Sequence, residues 1–259
     1  MMSDSTIRRK VNWNSACKSH VGTVREVNED SILSRPDIGL WVVADGMGGH
    51  AVGDVASQMI VDALNQVVGE LDLAQAVEQI DQTLIETNNR ILKYSEEFLD
   101  NSTIGSTVVC LVIRGRIGVA LWAGDSRLYR FRKGKLEQIT RDHSRVEELI
   151  QQGVITESQA RAHNESNVIT RAVGVDEDFG LEICAFDAQL KDQFLLCSDG
   201  LYNAVENDLI IESLQSAGMK NKVDRMVELA LVNGANDNVS VVAIKGEFEK
   251  VPTRELESF

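Results

Sequence analysis

Acidic residues recur along this chain at points where an apolar, strand-like run meets a turn. They are Glu29, Asp30, Asp45, Asp199 and Asp237. Two carboxylates about 4 Å apart at an effective dielectric constant of about 20 repel each other by roughly 4 kcal/mol, so acids that converge from several strands need a cation between them. Oxygen ligands without a neighbouring histidine or cysteine favour Mg²⁺ or Mn²⁺. The pattern therefore predicts a divalent-metal site built from strand ends.

The runs that carry Asp45 and Asp199 both end in Asp-Gly. The first is LWVVADG and the second is QFLLCSDG, and each has the length and composition of a short buried strand. Asp237 lies in a turn rich in glycine and asparagine, ahead of an apolar run over residues 239–244. Each of these carboxylates is therefore expected at the edge of a sheet.

The composition indicates one folded domain with an acidic surface. The chain has 259 residues, of which 43% are apolar, and no long linker-like stretch, so we expect a single domain over residues 1–259 with a solvated tail at 247–259. A formal net charge of −14 disfavours binding to nucleic acid or to an anionic membrane surface. Without a recognisable secretory leader or membrane span, we expect a cytoplasmic protein that acts as a monomer.

The four cysteines do not form a metal-binding or disulfide pattern. They are Cys17, Cys110, Cys184 and Cys197, with no CxxC pair among them. Three of the four lie in apolar runs, so buried free thiols are expected rather than disulfides or zinc ligands.

The hydrophobic patterns predict an α+β fold without regular βαβ alternation. Apolar residues recur at helical spacing over residues 55–68 and 73–98, and again over 206–216 and 222–232. Each pair of consecutive helices can cover one face of a sheet. Residues 106–140 contain four apolar runs separated by glycine-containing turns, which is the pattern of an antiparallel meander.

The segment over residues 141–174 is more polar and carries two short helical patterns. We expect it to leave the sheet as an excursion. Beside a metal site such a segment could serve as a flap over the substrate, and a purely structural insertion is the alternative.

Eight blocks along the chain resemble the metal-dependent protein phosphatases of the 2C type, particularly the bacterial members. In order they are GTVREVNED, VVADGMGGHAVGDVAS, GSTVV, WAGDSRLYR, TRDHS, ITRAVG, LLCSDGL and NDNVSVV. The resemblance covers nearly the whole chain and implies an α-β-β-α sandwich, in which two antiparallel sheets pack face to face between helix pairs. It also implies hydrolysis of phosphoserine and phosphothreonine in proteins by a water activated by two metal ions, with a bacterial Ser/Thr kinase as the counterpart.

The resemblance implies metal ligands at five positions of this sequence. Asp45 would bridge two Mn²⁺ or Mg²⁺ ions. Glu29 and the Gly46 carbonyl would complete the shell of one ion, and Asp199 and Asp237 that of the other.

Three further residues take expected roles from the same resemblance. Asp30 would orient metal-bound water, and Arg25 would bind the substrate phosphate through its fork of donors, with a surface ion pair as the alternative for Arg25. Asp125 of the GDSR block would hold a third ion together with Asp199. The alternative for Asp125 is a turn-forming role after Gly124.

One departure from the animal members leaves the general acid unassigned. Those members carry a histidine two residues after the bridging aspartate, where this chain has Met47. His50 and His143 lie nearby in sequence, but each is more readily a structural residue. Two other functions are weighed: a catalytically silent relative, which would have lost its metal ligands, and a phosphatase of small molecules.

Overall fold

The computed structural model describes residues 11–48, 52–100, 102–160 and 163–248. Its strands are β1 (Val11–His20), β2 (Asp30–Arg35), β3 (Leu40–Gly48), β4 (Ile104–Ser106), β5 (Val108–Arg114), β6 (Ile117–Ala123), β7 (Arg127–Arg132), β8 (Lys135–Gln138), β9 (Glu182–Asp187), β10 (Gln193–Cys197) and β11 (Val239–Phe248). Its helices are α1 (Gly53–Leu64), α2 (Leu73–Phe98), α3 (Arg145–Gln151), α4 (Glu157–Ala160), α5 (Asp199–Ala204), α6 (Asn207–Gln215) and α7 (Met219–Val232).

The strands form two sheets. The first sheet has the order β1-β11-β10-β7-β8, and the second has the order β2-β3-β5-β6-β9 with β4 paired to β3. The pairings between these strands are antiparallel.

The side chains of the two sheets form three buried layers. Between the sheets, Trp41, Leu111, Phe194 and Ile244 belong to one apolar cluster. Successive strand residues point to opposite faces, so their neighbours form two outer clusters, one against α1 and α2 and one against α5, α6 and α7. The predicted α-β-β-α sandwich of two antiparallel sheets flanked by helices is confirmed.

Helix α1 ends at Leu64, four residues before the predicted end. The amides of Gln66 and Val67 bond to carbonyls three residues earlier, which tightens the last turn and closes the helix. Val67 is nevertheless buried. Because Val67 is apolar and buried, apolar residues continue at helical spacing beyond the last residue of the helix, and the prediction was too long.

The predicted meander over residues 106–140 is wrong at its centre. β5 pairs with β6 and β7 pairs with β8, but β6 pairs on with β9 and β7 with β10. The chain therefore crosses from the second sheet to the first between β6 and β7. Gly124 lies at this crossing with a φ of 109°, a conformation that glycine adopts at little cost.

The turn predicted directly after Asp45 is also wrong. β3 continues to Gly48, and residues 46–48 pair with β4. Because β4 has only three residues, its sequence carries no period that could be recognised. The strand β9 and the helix α5 were likewise not predicted, since β9 alternates polar residues and α5 starts at Asp199 itself.

Two smaller expectations need correction. Cys17 is exposed, although all four thiols are free and Cys110 and Cys197 are buried. β11 extends through Phe248, so residues 247–248 of the predicted tail belong to a strand, and residues 249–259 lie outside the described residues. In the described parts of the chain, no helix has both the length and the apolar character needed to cross a membrane.

Candidate active site

Five aspartates from distant parts of the chain meet at one end of the sandwich. They are Asp30 at the start of β2, Asp45 in β3, Asp125 between β6 and β7, Asp199 at the start of α5, and Asp237 before β11. The pKa of Asp45 is raised, first by burial and then by the negative charges of the other four. We call these five side chains the carboxylate cluster.

The backbone of Asp45 is fixed by the chain that leads into β5. Its amide donates to the Thr107 hydroxyl at 3.2 Å, and its carbonyl accepts from the Thr107 amide at 2.9 Å and from the Ser106 hydroxyl at 3.0 Å. Across the β2–β3 ladder, Asp45 lies opposite Asp30. Ser106 and Thr107 therefore hold the residue that carries the central carboxylate.

Two hydrogen bonds hold Glu29 beside Gly46 and Gly53. The Gly46 amide donates to the Glu29 carbonyl at 3.1 Å, and Glu29 Oε1 accepts from the Gly53 amide at 2.9 Å. A Cβ on Gly46 would lie 2.1 Å from the Gly53 carbonyl oxygen. Only glycine allows β3 and the start of α1 to approach this closely.

Asn238 ties the loop before β2 to the start of β11. Its amide group donates to the carbonyls of Val21 and Val27 at 2.9 and 3.0 Å, and its oxygen accepts from the Glu29 amide at 2.8 Å. Sequence reasoning assigned no role to Asn238. Its place between Asp237 and an apolar strand was the available signal, since a buried asparagine can both donate to and accept from backbone groups that need partners.

Asp30 is a buried acid with one satisfied oxygen. Its Oδ2 accepts from the Ser198 hydroxyl at 2.7 Å, and Ser198 Oγ accepts in turn from the Ser240 amide at 2.9 Å. Asp30 Oδ1 is buried without a hydrogen-bond partner. Burial raises the pKa of Asp30 to about 6, although Ser198 opposes the shift.

Two further acids of the cluster, Asp199 and Asp125, also have raised pKa values. Burial, followed by the charges of Asp125 and Asp237, raises the pKa of Asp199 to about 8. Burial, followed by the charge of Asp142, raises the pKa of Asp125 to about 6. Several hard oxygens that resist ionisation together suit a divalent cation of the Mg²⁺ or Mn²⁺ type.

The five acids affect one another electrostatically, but among the described residues their side chains do not form a complete metal-binding group. Within the part of the chain that the structure describes, no three histidine, cysteine or acidic side chains are close enough to form a complete metal-binding group. Carboxylates that repel one another have no reason to approach more closely without a cation. The residues fit a divalent ion by donor chemistry, and the partnerless Asp30 oxygen leaves an acceptor available near it.

Arg25 lies at the rim of the carboxylate cluster. Its Nη2 donates to Asp237 Oδ2 at 2.8 Å, and about half of its side chain is exposed. Asp237, Glu29 and Asp45 raise its pKa. The guanidinium is therefore charged and reaches both the acids and the solvent.

The turn that carries Asp125 is bound to residues at the base of the 141–174 segment. His143 Nδ1 accepts from the Gly124 amide at 3.1 Å, and the His143 amide donates to the Gly124 carbonyl at 2.9 Å. His143 Nε2 lies 2.9 Å from Glu182 Oε2. Both ring nitrogens are thus engaged, and His143 supports the turn as the structural residue that was expected.

A cavity of about 640 Å³ lies between the carboxylate cluster and the 141–174 segment. Among its lining residues are Arg25, Asp125, Arg127, Asp142, Ser144, Val146, Asn167, Asp199, Tyr202, Asn203 and Asp237. Ser144 and Ser106 anchor the segment through bridges to Ile169 and Val173. The excursion therefore forms one wall of the space in front of the acids.

The described residues offer no obvious replacement for the histidine of the animal members. Met47 lines a second, smaller cavity of about 270 Å³ together with Arg171 and Asp176. Both nitrogens of His143 are occupied. His50, which was considered together with His143, lies outside the described residues.

Comparisons with known proteins agree with this architecture. A family model described as protein phosphatase 2C matches residues 18–239. The chain is 36% identical over 228 residues to the serine/threonine protein phosphatase PstP of Mycobacterium tuberculosis; the match covers 88% of this chain but only 44% of that protein.

Two solved structures superpose closely on this chain. One is PppA, described as a key regulatory component of T6SS in Pseudomonas aeruginosa, with 42% identity, a TM-score of 0.83 and coverage of 91% of this chain and 98% of PppA. The other is the catalytic domain of PstP in complex with 2 manganese ions, with 33% identity, a TM-score of 0.83 and coverage of 91% and 99%. The family match, the two sheets between helices and the acids at their end lead to one conclusion: the chain belongs to the protein phosphatase 2C family, a family of metal-dependent serine/threonine phosphatases.

Proposed function

We propose that this chain hydrolyses phosphoserine and phosphothreonine in proteins with the help of Mn²⁺ or Mg²⁺. The observation that carries the proposal is the carboxylate cluster, in which five aspartates from distant parts of the chain meet, and burial followed by the charges of the other four raises the pKa of Asp45. Such a cluster has no structural advantage without cations, because each buried charge adds to the repulsion. It is the arrangement that a metal-dependent hydrolase needs.

The ligand assignment distributes the acids over two ions. Asp45 would bridge them, with Glu29 and the Gly46 carbonyl on one side and Asp199 and Asp237 on the other. Its support is that Glu29 and Gly46 are already held together by their backbone bond and by Gly53. Bound ions of this type lower the pKa of water and stabilise negative charge on phosphoryl oxygens.

Asp30 and Arg25 would act on the water and on the phosphate. The unpartnered Asp30 oxygen is an acceptor that can orient a water molecule, while Ser198 holds the other oxygen in place. Arg25 can exchange its contact with Asp237 for two oxygens of a phosphate, because a guanidinium presents parallel donors. Its exposure leaves room for this movement.

The substrates would be phosphorylated proteins, with a Ser/Thr kinase as the counterpart. The cavity in front of the acids is bounded by the 141–174 segment, which we propose to be a flap over the bound substrate. A phosphatase of small molecules would use the same cluster. A silent phosphoprotein-binding relative is less consistent with the residues, since Asp45, Asp199, Asp237, Glu29 and Arg25 are all present.

Substrate preference separates these functions. Hydrolysis of phosphothreonine peptides and of sugar phosphates should be compared with Mn²⁺ present and again after EDTA. We expect peptide turnover that requires the metal. Preferential turnover of sugar phosphates would support the small-molecule function, and no turnover of either with Mn²⁺ bound would support the silent relative.

The substitution Asp199→Asn tests the ligand assignment. Turnover should fall on the order of 100-fold or more, because one charge that holds a cation is lost. The metal-free variant should melt no lower than the parent chain, since removal of an acid with a raised pKa relieves repulsion. Asp62→Asn, on the exposed surface of α1, is the matched control and should retain turnover; a fully active Asp199→Asn variant would contradict the assignment.

A further inference from the structure

Tyr202 connects the helix that carries Asp199 to the turn that carries Asp125. It lies three residues after Asp199 on α5, so both side chains occupy the same face of the helix. The Tyr202 hydroxyl lies 3.1 Å from the Asp125 carbonyl oxygen and 3.3 Å from Asp125 Oδ2. One phenolic proton is thus shared between the backbone and the carboxylate of Asp125.

The ring of Tyr202 is held in place by a partly buried ion pair. The guanidinium carbon of Arg127 lies 3.5 Å from the ring centroid, within the range of a cation–π contact. Arg127 Nε and Nη2 donate to the two oxygens of Asp142 at 3.0 and 2.7 Å, and Nη1 donates to the Tyr129 hydroxyl at 2.9 Å. The guanidinium cannot shift without breaking these bonds, so the ring beneath it has a fixed position.

The backbone on either side of Asp125 is held by residues other than Tyr202. His143 binds both polar groups of Gly124, and the hydroxyls of Thr107 and Ser126 lie 2.8 Å apart. What remains free is the torsion of the Asp125 side chain. Within the described residues, Tyr202 is the side chain that donates to this carboxylate.

We propose that Tyr202 is a positioning residue that holds the Asp125 carboxylate in register with Asp199, so that both can bind one divalent cation. The proposal rests on the proposed function, because it concerns the metal centre of that same site. Groups that orient a ligand residue typically contribute about 10- to 100-fold to metal affinity. Tyr202 would act on the ion held by Asp125 and leave the ions held by Asp45 unchanged.

Titration of the chain with Mn²⁺ in a calorimeter, without substrate, tests the proposal. Tyr202→Phe removes the hydroxyl and keeps the ring against Arg127. We expect the Mn²⁺ ion held by Asp125 to bind about 10- to 100-fold less tightly in this variant, with the other ions unchanged. Tyr94→Phe, which alters a tyrosine whose ring lies 5.1 Å from that of Phe98 in α2, is the matched control and should leave the isotherm as it is.

A double substitution separates positioning from a general structural effect. In Asp125→Ala the ion held by Asp125 should be lost, and Tyr202→Phe should then have no additional effect on the isotherm. A Tyr202→Phe isotherm that matches the parent chain, or an equal weakening of every ion, would overturn the proposal. Failure of the proposed function would look different: the parent chain itself would show no Mn²⁺-dependent turnover of phosphopeptides.

Discussion

At the level of single residues, the acids of the carboxylate cluster are coupled through their protonation. Asp30 and Asp45 face each other across a ladder, and burial raises the pKa of each. Asp199 has a pKa of about 8. In the metal-free chain at neutral pH, some of these oxygens therefore carry protons that a cation has to displace.

We expect Mn²⁺ binding to release protons. A carboxyl group with a pKa near 8 is mostly protonated at pH 7, so binding should release about one proton from it. Calorimetry in buffers with different enthalpies of ionisation measures the number of protons released. The affinity for Mn²⁺ should rise between pH 6 and pH 8. Asp199→Asn should release fewer protons; binding without proton release would contradict the raised pKa.

His143 should make the fold sensitive to acid. Burial lowers its pKa from 6.5, although Glu182 opposes the shift, and its Nδ1 accepts a bond from Gly124 that a protonated ring could not accept. The folded state thus binds fewer protons than the unfolded state. The stabilisation is present above pH 6.5 and is lost as the pH falls toward the lowered pKa.

Thermal melts of the parent chain and of His143→Gln at several pH values measure this effect. The melting temperature of the parent should fall more steeply on acidification below pH 6.5 than that of the variant, which has no group that titrates at this position. Glu182→Gln should retain the steep fall, because it removes a group that opposes the shift. Parallel curves for the parent and His143→Gln would refute the expectation.

At the level of elements, the crossing between the two sheets depends on Gly124. Its φ is 109°, and a Cβ there would lie 2.5 Å from the Thr107 Cβ. Thr107 holds the Asp45 amide. A change in this turn therefore displaces two parts of the carboxylate cluster together.

Gly124→Ala should be considerably more destabilising than Gly134→Ala. Both positions have positive φ, which costs a residue with a Cβ about 1–2 kcal/mol, but a Cβ at Gly134 meets no atom within 4 Å. The clash at Gly124 should add about 1–3 kcal/mol. Urea denaturation of the two variants measures the difference in their free energies of unfolding. Equal losses of stability would contradict the expectation, because the close approach of the new Cβ to Thr107 would then cost no stability.

The sequence was most informative where a pattern was long. The period in α2 predicted its bounds of Leu73–Phe98, and the apolar runs predicted β5, β6 and β7. The switch of sheets at Gly124 could not be predicted, because a hairpin and a crossing have the same local pattern. The five aspartates of the carboxylate cluster were identified from the sequence. Ser198, Asn238 and Tyr202 were missed, since their roles depend on partners far away in the chain.

At the level of the whole molecule, aromatic side chains pack between the two sheets. Phe194 on β10 is fully buried and lies 5.6 Å from the ring of Trp13 and 5.5 Å from that of Phe186. Trp13 belongs to the first sheet and Phe186 to the second. The ring of Phe194 thus joins strands from both halves of the sandwich.

Phe194→Ala should destabilise the fold by about 3–5 kcal/mol, because it removes a large side chain from a core that cannot collapse around the space. Phe98→Ala is the matched control, since Phe98 is 67% exposed and its loss should change stability by about 0.5 kcal/mol or less. Chemical denaturation followed by tryptophan fluorescence measures both. Similar losses at the two positions would contradict this account of the core.

β11 lies between β1 and β10 in the first sheet, and the Asn238 bonds at its start reach back to the loop before Glu29. A nascent chain on the ribosome lacks this strand until nearly all of the described residues have been synthesised. β1 then has no neighbour in its sheet, and the carboxylate cluster lacks Asp237. We therefore expect no dephosphorylation by incomplete chains during translation, so that the activity is switched on only when the last strand has emerged and closed the sheet.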